Sequence, residues 1–318
     1  MPQTKILIDL RYINSHSDLA FRLAPAFSAN QTDTVFFEIN LNARFLYSDF
    51  LILIASTVQY LRNNGIQVNG RFIDFKEESN VSNYASRVNF FKILQFEYKE
   101  NFSRRNPRGR FTEIKEFNSD NVLDIFNEIM RILLLNRTDE DMLTALDYCL
   151  WEVMDNTLNH AGEDFGRYEG RGLVCAQYFP ATHEVRLMIV DNGKGIHKAL
   201  TTHPNSDYKE FSETQAVERC IEKGVTNSEG RGFGLWATSE LVRENRGQLA
   251  IHSGGHRLNC SNIKQVGLAP IWQGTTTFLR INTDVPVNHR VIFGEDSNLK
   301  EEFIERRDKL FGNLDELW

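Results

Sequence analysis

The sequence has few cysteines and no long apolar segment. Its 318 residues include four cysteines that are far apart, namely Cys149, Cys175, Cys220 and Cys260. Their spacing contains no CxxC or Cys/His pair, which argues against a zinc site or a disulfide framework. The most apolar stretch, residues 50–58, is far shorter than the roughly 20 residues that span a bilayer. The N-terminal segment MPQTKILIDL is too short and polar for a signal peptide. We therefore expect a cytoplasmic protein without membrane contact.

The sequence also lacks a basic excess and low-complexity tracts. Its formal net charge is -7 and its pI about 5.7, so no overall attraction to nucleic acid is predicted. Hydrophobic residues make up 41%, which places the chain among folded proteins. A length of 318 residues predicts about two domains.

Residues 1–98 alternate between strand-like and helix-like patterns, which predicts a small α/β domain. The expected strands are 5–9, 34–39 and 66–75, and the expected helices are 18–28, 48–62 and 80–94. The segment 48–62 is apolar on nearly every face, as in a helix packed on two sides.

Two polar segments flank the rest of the chain. Residues 99–110 (KENFSRRNPRGR) are basic and contain Pro and Gly, which favours a linker; a phosphate- or nucleic-acid-binding patch is the alternative. Residues 284–318 form an acidic C-terminal tail with scattered apolar residues. That tail is either a helix that docks on a partner or a loosely held end.

Residues 111–283 are predicted to fold as an α+β sandwich, a helical layer on a mixed, mostly antiparallel sheet. The expected strands are 111–117, 172–179, 184–190, 248–253, 257–266 and 275–281. Two long helices follow the first strand, the second over 139–160, and a further helix covers 236–245.

The helix over 139–160 carries a polar face. Glu152, Asn156 and Asn159 recur at spacings of three and four, opposite an apolar face. A solvated surface face is one explanation. The alternative is chemical, because a carboxylate one turn from an amide oxygen can hold a water molecule and a hard cation together.

Two glycine-rich segments follow strands or precede a helix. Asp191-Asn-Gly193-Lys194-Gly195 directly follows the strand over 184–190; its aspartate can accept a hydrogen bond from an exocyclic amine, although a simple Asn-Gly turn is the alternative. The segment 229–235 places Gly230, Gly232 and Gly234 before a helix. Such a backbone can present N–H groups to phosphates, whereas a flexible loop would need no ligand.

Together and in this order, the motifs resemble the N, G1, G2 and G3 boxes of the GHKL (Bergerat-fold) ATPases. The matching segments are Glu152-x-x-x-Asn156, Asp191-x-Gly193-x-Gly195, Gly230-x-Gly232-x-Gly234-Leu235 and Gly274-Thr275. The resemblance covers about residues 111–282. It implies a Bergerat-fold ATP-binding domain that uses ATP and Mg²⁺ as cofactors.

The resemblance also implies roles for single residues. Glu152 would be the general base and Asn156 the magnesium ligand. The nucleotide would be bound by the G1, lid and G3 residues together with one further residue of the N box: Asp191 (to the adenine amine), Gly193, Gly195, Asn159, Lys194, Gly230, Arg231, Gly232, Phe233, Gly234, Leu235, Thr275 and Thr276. Of these, Lys194 and Arg231 would touch phosphate.

The N box, in the form ExxxNxxxHA, is similar to that of the anti-sigma-factor serine kinases, whereas the lid is closer to that of sensor histidine kinases. The sequence shows no phosphoacceptor histidine on a long dimerisation helix. Residues 34–64 resemble the strand–loop–helix of STAS domains, in which a serine at the helix start is phosphorylated. Ser48 or Asp49 occupies that place here. The simpler interpretation is that Ser48 caps the helix and Asp49 complements its dipole.

Three functions follow from this resemblance. The chain could be a serine/threonine kinase that acts on a separate protein partner with a STAS-like fold. It could instead be an ATP-driven conformational switch without phosphotransfer, for example in a bacterial stress or phage response, or a module that only binds ATP. A homodimer is compatible with each of them.

Overall fold

The computed structural model describes residues 3–107, 109–136, 140–161, 170–227 and 232–293. The N-terminal part contains a three-stranded parallel sheet in the order β1-β2-β3. Its strands are β1 (Gln3–Asp9), β2 (Thr34–Asn40) and β3 (Gln67–Phe72). Its helices are α1 (His16–Leu23), α2 (Ser48–Asn63), α3 (Asn80–Arg87) and α4 (Phe90–Leu94), with a 3₁₀ turn over Ala24–Ser28.

The C-terminal part contains a five-stranded antiparallel sheet in the order β4-β5-β6-β8-β7. Its strands are β4 (Phe111–Phe117), β5 (Gly172–Phe179), β6 (Glu184–Val190), β7 (Gln248–Cys260) and β8 (Lys264–Asn282). Its helices are α5 (Val122–Leu135), α6 (Glu140–His160), α7 (Gly195–Thr201), α8 (Glu213–Arg219), α9 (Gly234–Glu244) and α10 (His289–Phe293). The predicted helical layer on a mixed, mostly antiparallel sheet is confirmed, with every described strand pair of this sheet antiparallel.

Both faces of the five-stranded sheet are buried. Along β6, Leu187 and Ile189 join the core formed with α5, α6 and α9. The alternate residues Met188 and Val190 join a second core that includes the N-terminal helices. Because side chains of a strand point alternately to opposite faces, a strand without polar alternation needs cover on both sides. Here α1 and α2 supply the second cover, so the N-terminal part packs directly on the sheet.

Helix α2 lies between the two sheets. All residues from 48 to 58 are buried, and the helix shares one core with β2 of its own sheet and with β5 and β6 of the other. The prediction of a helix packed on two sides is therefore confirmed. Each fully buried aliphatic side chain of this kind stabilises the fold by about 1.5–3 kcal/mol.

A buried charge cluster joins α2 to β6. Asp49 is 2% exposed, and its Oδ2 accepts a hydrogen bond from Arg186 Nε at 2.9 Å and lies 3.2 Å from His16 Nε2. Burial alone would raise the pKa of Asp49, but His16 and Arg186 hold it below its ordinary value. The Arg186 guanidinium also lies 4.2 Å from the centre of the Tyr47 ring. The cluster gives every buried charge a partner.

Several boundaries differ from the sequence-based expectations. The helix expected over 80–94 is divided, because Asn89 adopts a left-handed conformation with φ of 63°. The helix expected over 18–28 changes to a 3₁₀ turn at Pro25, which has no N–H to donate. The expected separate strand over 257–266 was wrong, since the chain turns at 261–263 between β7 and β8.

The start of α2 also differs. Tyr47, not Ser48, is the N-cap residue, and no side chain caps this helix end, so the expected Ser48 cap was wrong. Ser48 is 5% exposed, and Asp49 is engaged by Arg186. Neither side chain is open to solvent as a phosphate acceptor would need to be.

The predicted linker contains no helix or strand in its described residues. Arg104 nevertheless binds Glu100 and the carbonyl oxygen of Ser86, so the segment lies along the N-terminal part. The division of the chain into domains at 98 and 110 stays a prediction. In the described part of the chain, no helix combines the length and apolar character that crossing a bilayer requires.

Removal of only one member of the Asp49–Arg186 pair is predicted to destabilise the fold strongly. The Arg186→Met variant leaves the Asp49 carboxylate buried with His16 alone. We expect its free energy of unfolding in urea to fall by about 3–5 kcal/mol, and part of that loss to be recovered by adding Asp49→Asn.

Arg280 supplies the control, because it is the register partner of Arg186 on β8 and pairs with Glu184 at 3.5 Å in a more exposed position. We expect Arg280→Met to cost about 1 kcal/mol or less. Equal losses for the two arginines would contradict the role given to the buried cluster.

Candidate functional site

The predicted G1 aspartate lies at the end of the central strand β6. Asp191 is 8% exposed, and its Oδ1 accepts hydrogen bonds from Gly193 N at 2.9 Å and Thr275 N at 3.2 Å. Its other oxygen accepts no hydrogen bond from the described residues. Burial raises the pKa of Asp191 to about 7, and this effect exceeds the opposite effect of the two backbone N–H groups, which lower the pKa. The carboxylate is thus fixed through one oxygen, while the other can accept a hydrogen bond from a ligand.

The turn after Asp191 is packed tightly enough to require glycine. A β-carbon on Gly193 would lie 2.3 Å from the α-carbon of Ala161, at the end of α6. On the opposite side, Gly274 has φ of 89°, and its β-carbon would lie 2.3 Å from the carbonyl oxygen of Asp191. Gln273 Nε2 donates to the carbonyl oxygen of Gly193 at 2.6 Å. The glycines therefore let α6 and β8 close on the turn from both sides.

Ser253 connects the turn to the start of α7. Its Oγ accepts a hydrogen bond from Ile196 N at 2.9 Å and donates one to the carbonyl oxygen of Gly274 at 2.9 Å. Gly195 has φ of 74°, and a β-carbon there would lie 2.8 Å from Ser253 Oγ. Lys194 is the N-cap residue of α7 and is half-buried.

The structure separates the two threonines of the G3 box. Thr275 donates its N–H to Asp191 and receives the N–H of Asp191 at its carbonyl oxygen. Thr276 instead lines a small cavity with His16, His252 and Phe278, on the sheet face covered by α1. The structure therefore brings Thr275 to the candidate site and places the Thr276 side chain on the opposite face.

Helix α6 brings its polar face next to this turn and to the start of α9. Glu152, Asn156 and Asn159 are half-buried on successive turns of one face. A β-carbon on Gly234 would lie 2.5 Å from Glu152 Oε2, so the first turn of α9 rests on this carboxylate. The N, G1 and G2 boxes thus meet around the C-terminal half of α6.

The lid is described only in part. Gly230 and Arg231 lie outside the described residues. Gly232 has φ of 66°, and its carbonyl oxygen accepts a hydrogen bond from Gly224 N at 2.9 Å. Phe233 is the N-cap of α9, and its ring lies 5.0 Å from Lys223 Nζ. Gly234 and Leu235 are the first residues of α9, so the helix begins two residues earlier than expected.

The donor set suits magnesium bound together with phosphates. Among the described residues, no group of three or more His, Cys, Asp or Glu side chains could hold a metal by itself. Glu152 and Asn156 offer one carboxylate and one amide oxygen. Mg²⁺ usually keeps several waters and shares few protein ligands with substrate phosphates, so these residues fit a Mg²⁺ ion that arrives with ATP.

Sequence reasoning gave no role to four residues that hold the site together: Ala161, Asn192, Ser253 and Gln273. Asn192 lies inside the G1 box, Ala161 ends the N box and Gln273 precedes the G3 box, and these positions were their only signal. Ser253 lies far from every box in the sequence. Its position opposite Thr275 follows from the pairing of β7 with β8, which the chain pattern alone does not specify.

A family model described as histidine kinase-, DNA gyrase B-, and HSP90-like ATPase matches residues 142–283. Residues 142–283 are a GHKL ATPase domain. The match begins inside α6. Strand β4 and helix α5 precede it, yet β4 pairs with β5 and α5 contributes Phe126 and Ile129 to the same core. This type of domain supports ATP binding.

Solved structures with some similarity are ATPase regions of topoisomerase II. The Saccharomyces cerevisiae ATPase region bound to dexrazoxane is 13% identical, with coverage of 53% of this chain and 44% of that chain and a TM-score of 0.24. A second structure of that region is 12% identical, with coverage of 52% and 44% and a TM-score of 0.22. The ATPase and transducer domains from Balamuthia mandrillaris are 12% identical, with coverage of 43% and 37% and a TM-score of 0.23.

This chain spans less than half the length of the solved chains it matches. No curated protein sequence matches it.

The contact between Gly193 and Ala161 predicts strong intolerance to a methyl group. In Gly193→Ala the new β-carbon would overlap backbone atoms of α6, so the turn or the helix end must move. We expect a loss of about 1–3 kcal/mol in the free energy of unfolding, measured in urea. Gly267→Ala is the matched control, because nothing lies within 4 Å of a β-carbon at that position; similar losses in both variants would refute this packing argument.

The raised pKa of Asp191 predicts a pH-dependent stability difference. Between about pH 4 and 7 the native protein keeps a proton on Asp191 that the unfolded chain releases, so this residue's contribution falls as pH rises, by up to about 1.4 kcal/mol per pH unit. Asp191→Asn removes the titration. We expect the variant to gain stability relative to wild type as pH rises from 4.5 to 7.5, measured by urea unfolding. A difference that is constant with pH would contradict the raised pKa.

Proposed function

We propose that the chain binds Mg-ATP at the group of residues around Asp191 and acts on its γ-phosphate. The observation that carries the proposal is the buried Asp191 carboxylate at the end of β6. One of its oxygens is held by two backbone N–H groups, and the other is left to accept a hydrogen bond from the adenine amine.

The surrounding residues have roles that suit the parts of ATP. Gly193 and Gly195 let the ring approach the turn, and Thr275 fixes the aspartate at the adenine end. Asn156 and Asn159 lie on the polar face of α6, between Glu152 and the end of the helix. Asn156 would hold Mg²⁺ on the phosphates. The lid residues from Gly230 to Leu235, which include Arg231, would enclose the phosphate chain together with Lys194.

The first candidate activity is transfer of the γ-phosphate to water or to a protein hydroxyl. Glu152 would accept the proton of the nucleophile as its oxygen attacks the γ-phosphorus and ADP leaves. The half-buried position of Glu152 beside Gly234 supports this role, since it lies where the lid joins α9. In the kinase version, of the anti-sigma type, the acceptor is on a separate STAS-like partner, because Ser48 in this chain is buried.

The second candidate is a conformational switch without phosphotransfer. The shared core between α2 and the five-stranded sheet favours it, because a change at the site could be passed to the N-terminal part through direct packing. Such a switch needs a difference in ATP affinity between two arrangements of the chain.

Calorimetric titration of the full chain tests binding. We expect wild type to bind ATP in the presence of Mg²⁺ and more weakly after chelation. At pH 8, above the pKa of Asp191, the variant Asp191→Asn should lower the affinity about 10- to 100-fold, because a hydrogen bond to a charged acceptor is lost. Asp124→Asn makes the same chemical change at an exposed position of α5 and should bind as wild type does. Absence of binding by wild type would overturn the proposal.

Incubation with γ-labelled ATP separates the activities. Label on a protein partner supports the kinase, label in free phosphate supports hydrolysis, and label left in ATP supports binding without turnover, as in the switch or in a module that only binds ATP. Glu152→Gln should retain ATP binding and lose turnover; turnover at the wild-type rate in this variant would remove Glu152 as the base.

A further inference from the structure

Helix α2 of the N-terminal part contacts the candidate adenine turn directly. Ser56 Oγ donates a hydrogen bond to Asn192 Oδ1 at 3.1 Å. Asn192 Nδ2 returns one to the carbonyl oxygen of Ser56 at 3.1 Å. The two residues are 136 positions apart. The two bonds together fix both the position and the rotation of the amide, because its acceptor and its donor each have a partner on one residue.

This pair lies in the interior of the molecule. Ser56 is 0% exposed and Asn192 is half-buried. Loss of one partner would leave a buried polar group without a hydrogen bond, which is costlier than the same loss at the surface. Side chains along β6 point alternately toward α6 and toward α2. The two residues after the strand keep this alternation, so Asp191 lies on the α6 side and Asn192 on the α2 side.

The position of Asn192 constrains the positions of its chain neighbours, Asp191 and Gly193. It connects Asp191 to Gly193, whose N–H is one of the two donors that hold the Asp191 carboxylate. The other sides of the turn are bounded by Ala161, directly after α6, and by Gly274 on β8. Ser56 is thus the third support of the turn, and it belongs to a different part of the chain from the other two.

A second attachment makes this support rigid. Seven residues before Ser56, Asp49 on α2 binds Arg186 near the start of β6. Helix α2 is therefore bonded to β6 at one end by an ion pair and to the turn after β6 by the amide pair, about 10 Å farther along the helix. A displacement of α2 would move or break the contact with the turn.

We propose that Ser56 is a positioning residue of the nucleotide site, which holds Asn192 and with it the Asp191–Gly193 turn in the geometry that accepts adenine. The proposal rests on the proposed binding of ATP. It makes the N-terminal part a component of the site, so that nucleotide binding and the position of α2 are energetically coupled in both directions.

The test is a double-mutant cycle on the full chain with Ser56→Ala and Asn192→Ala. We expect each single variant to bind Mg-ATP about three- to tenfold more weakly in calorimetry. The double variant should be no weaker than either single one, because both changes remove the same contact. Binding of Mg-GTP, which lacks the amine at that ring position, should change less, so the preference for ATP should fall.

Thr57→Val is the matched control. Thr57 is the next residue and also buried, but its hydroxyl donates to the carbonyl oxygen of Leu53 in its own helix. Its removal should leave the ATP/GTP preference as in wild type. Should an alanine variant fail to fold, Asn192→Asp keeps the side-chain shape but replaces the donor that faces the Ser56 carbonyl oxygen, and the same loss of preference is expected.

Amide hydrogen exchange measures the effect of nucleotide binding on helix α2. Saturating Mg-ATP should slow amide exchange over residues 48–63 in wild type and not in Ser56→Ala. Wild-type affinity and preference in Ser56→Ala, or additive losses in the double variant, would overturn this inference while ATP binding itself stands. Absence of Asp191-dependent ATP binding in wild type would instead overturn the proposed function.

Discussion

The structure depends on strand β6 being buried on both faces. Three side chains of this strand, Val185, Leu187 and Ile189, enter the core under α5, α6 and α9. The alternate residues Met188 and Val190 enter the core shared with α1 and α2. A strand of this kind is stable only when both sides are covered. The N-terminal part is for that reason built into the C-terminal sheet.

The same alternation determines the chemistry where β6 ends. Asp191 extends the face toward α6 and the polar residues of the N box, while Asn192 extends the face toward α2. Burial makes the charged form of Asp191 costly, and its pKa rises accordingly. A ligand that donates to its second oxygen would offset part of that cost. Without such a ligand, the contribution of Asp191 to stability falls as pH rises toward 7.

The GHKL match covers residues 142–283, but the folded unit is larger. Strand β4 adds an edge to the sheet, and α5 supplies part of the core. On the other face, α1 and α2 fill the space that would otherwise expose Phe278 and Met188. Segments outside the matched domain, here β4, α5 and α2, therefore contribute to the packing of the domain and of the turn after β6.

The sequence by itself determined the motifs and the fold class of the C-terminal part. The apolar patterns of the strands and the order of the N, G1, G2 and G3 boxes were enough to predict the helix-on-sheet sandwich and the GHKL domain, because each pattern can be recognised within a short segment. The exact bounds of β5 and β6 followed from their apolar runs. The break at Asn89 did not, since a left-handed residue leaves no mark in the hydrophobic pattern.

Only the tertiary structure decided which side chains meet. It placed Thr275 beside Asp191 and turned Thr276 to the opposite face, a distinction that depends on strand register. It also brought Ser56 to Asn192 across 136 positions. A serine in the middle of an apolar helix carries no local signal of its partner, because that partner is chosen by the packing of α2 on a sheet that the chain forms much later.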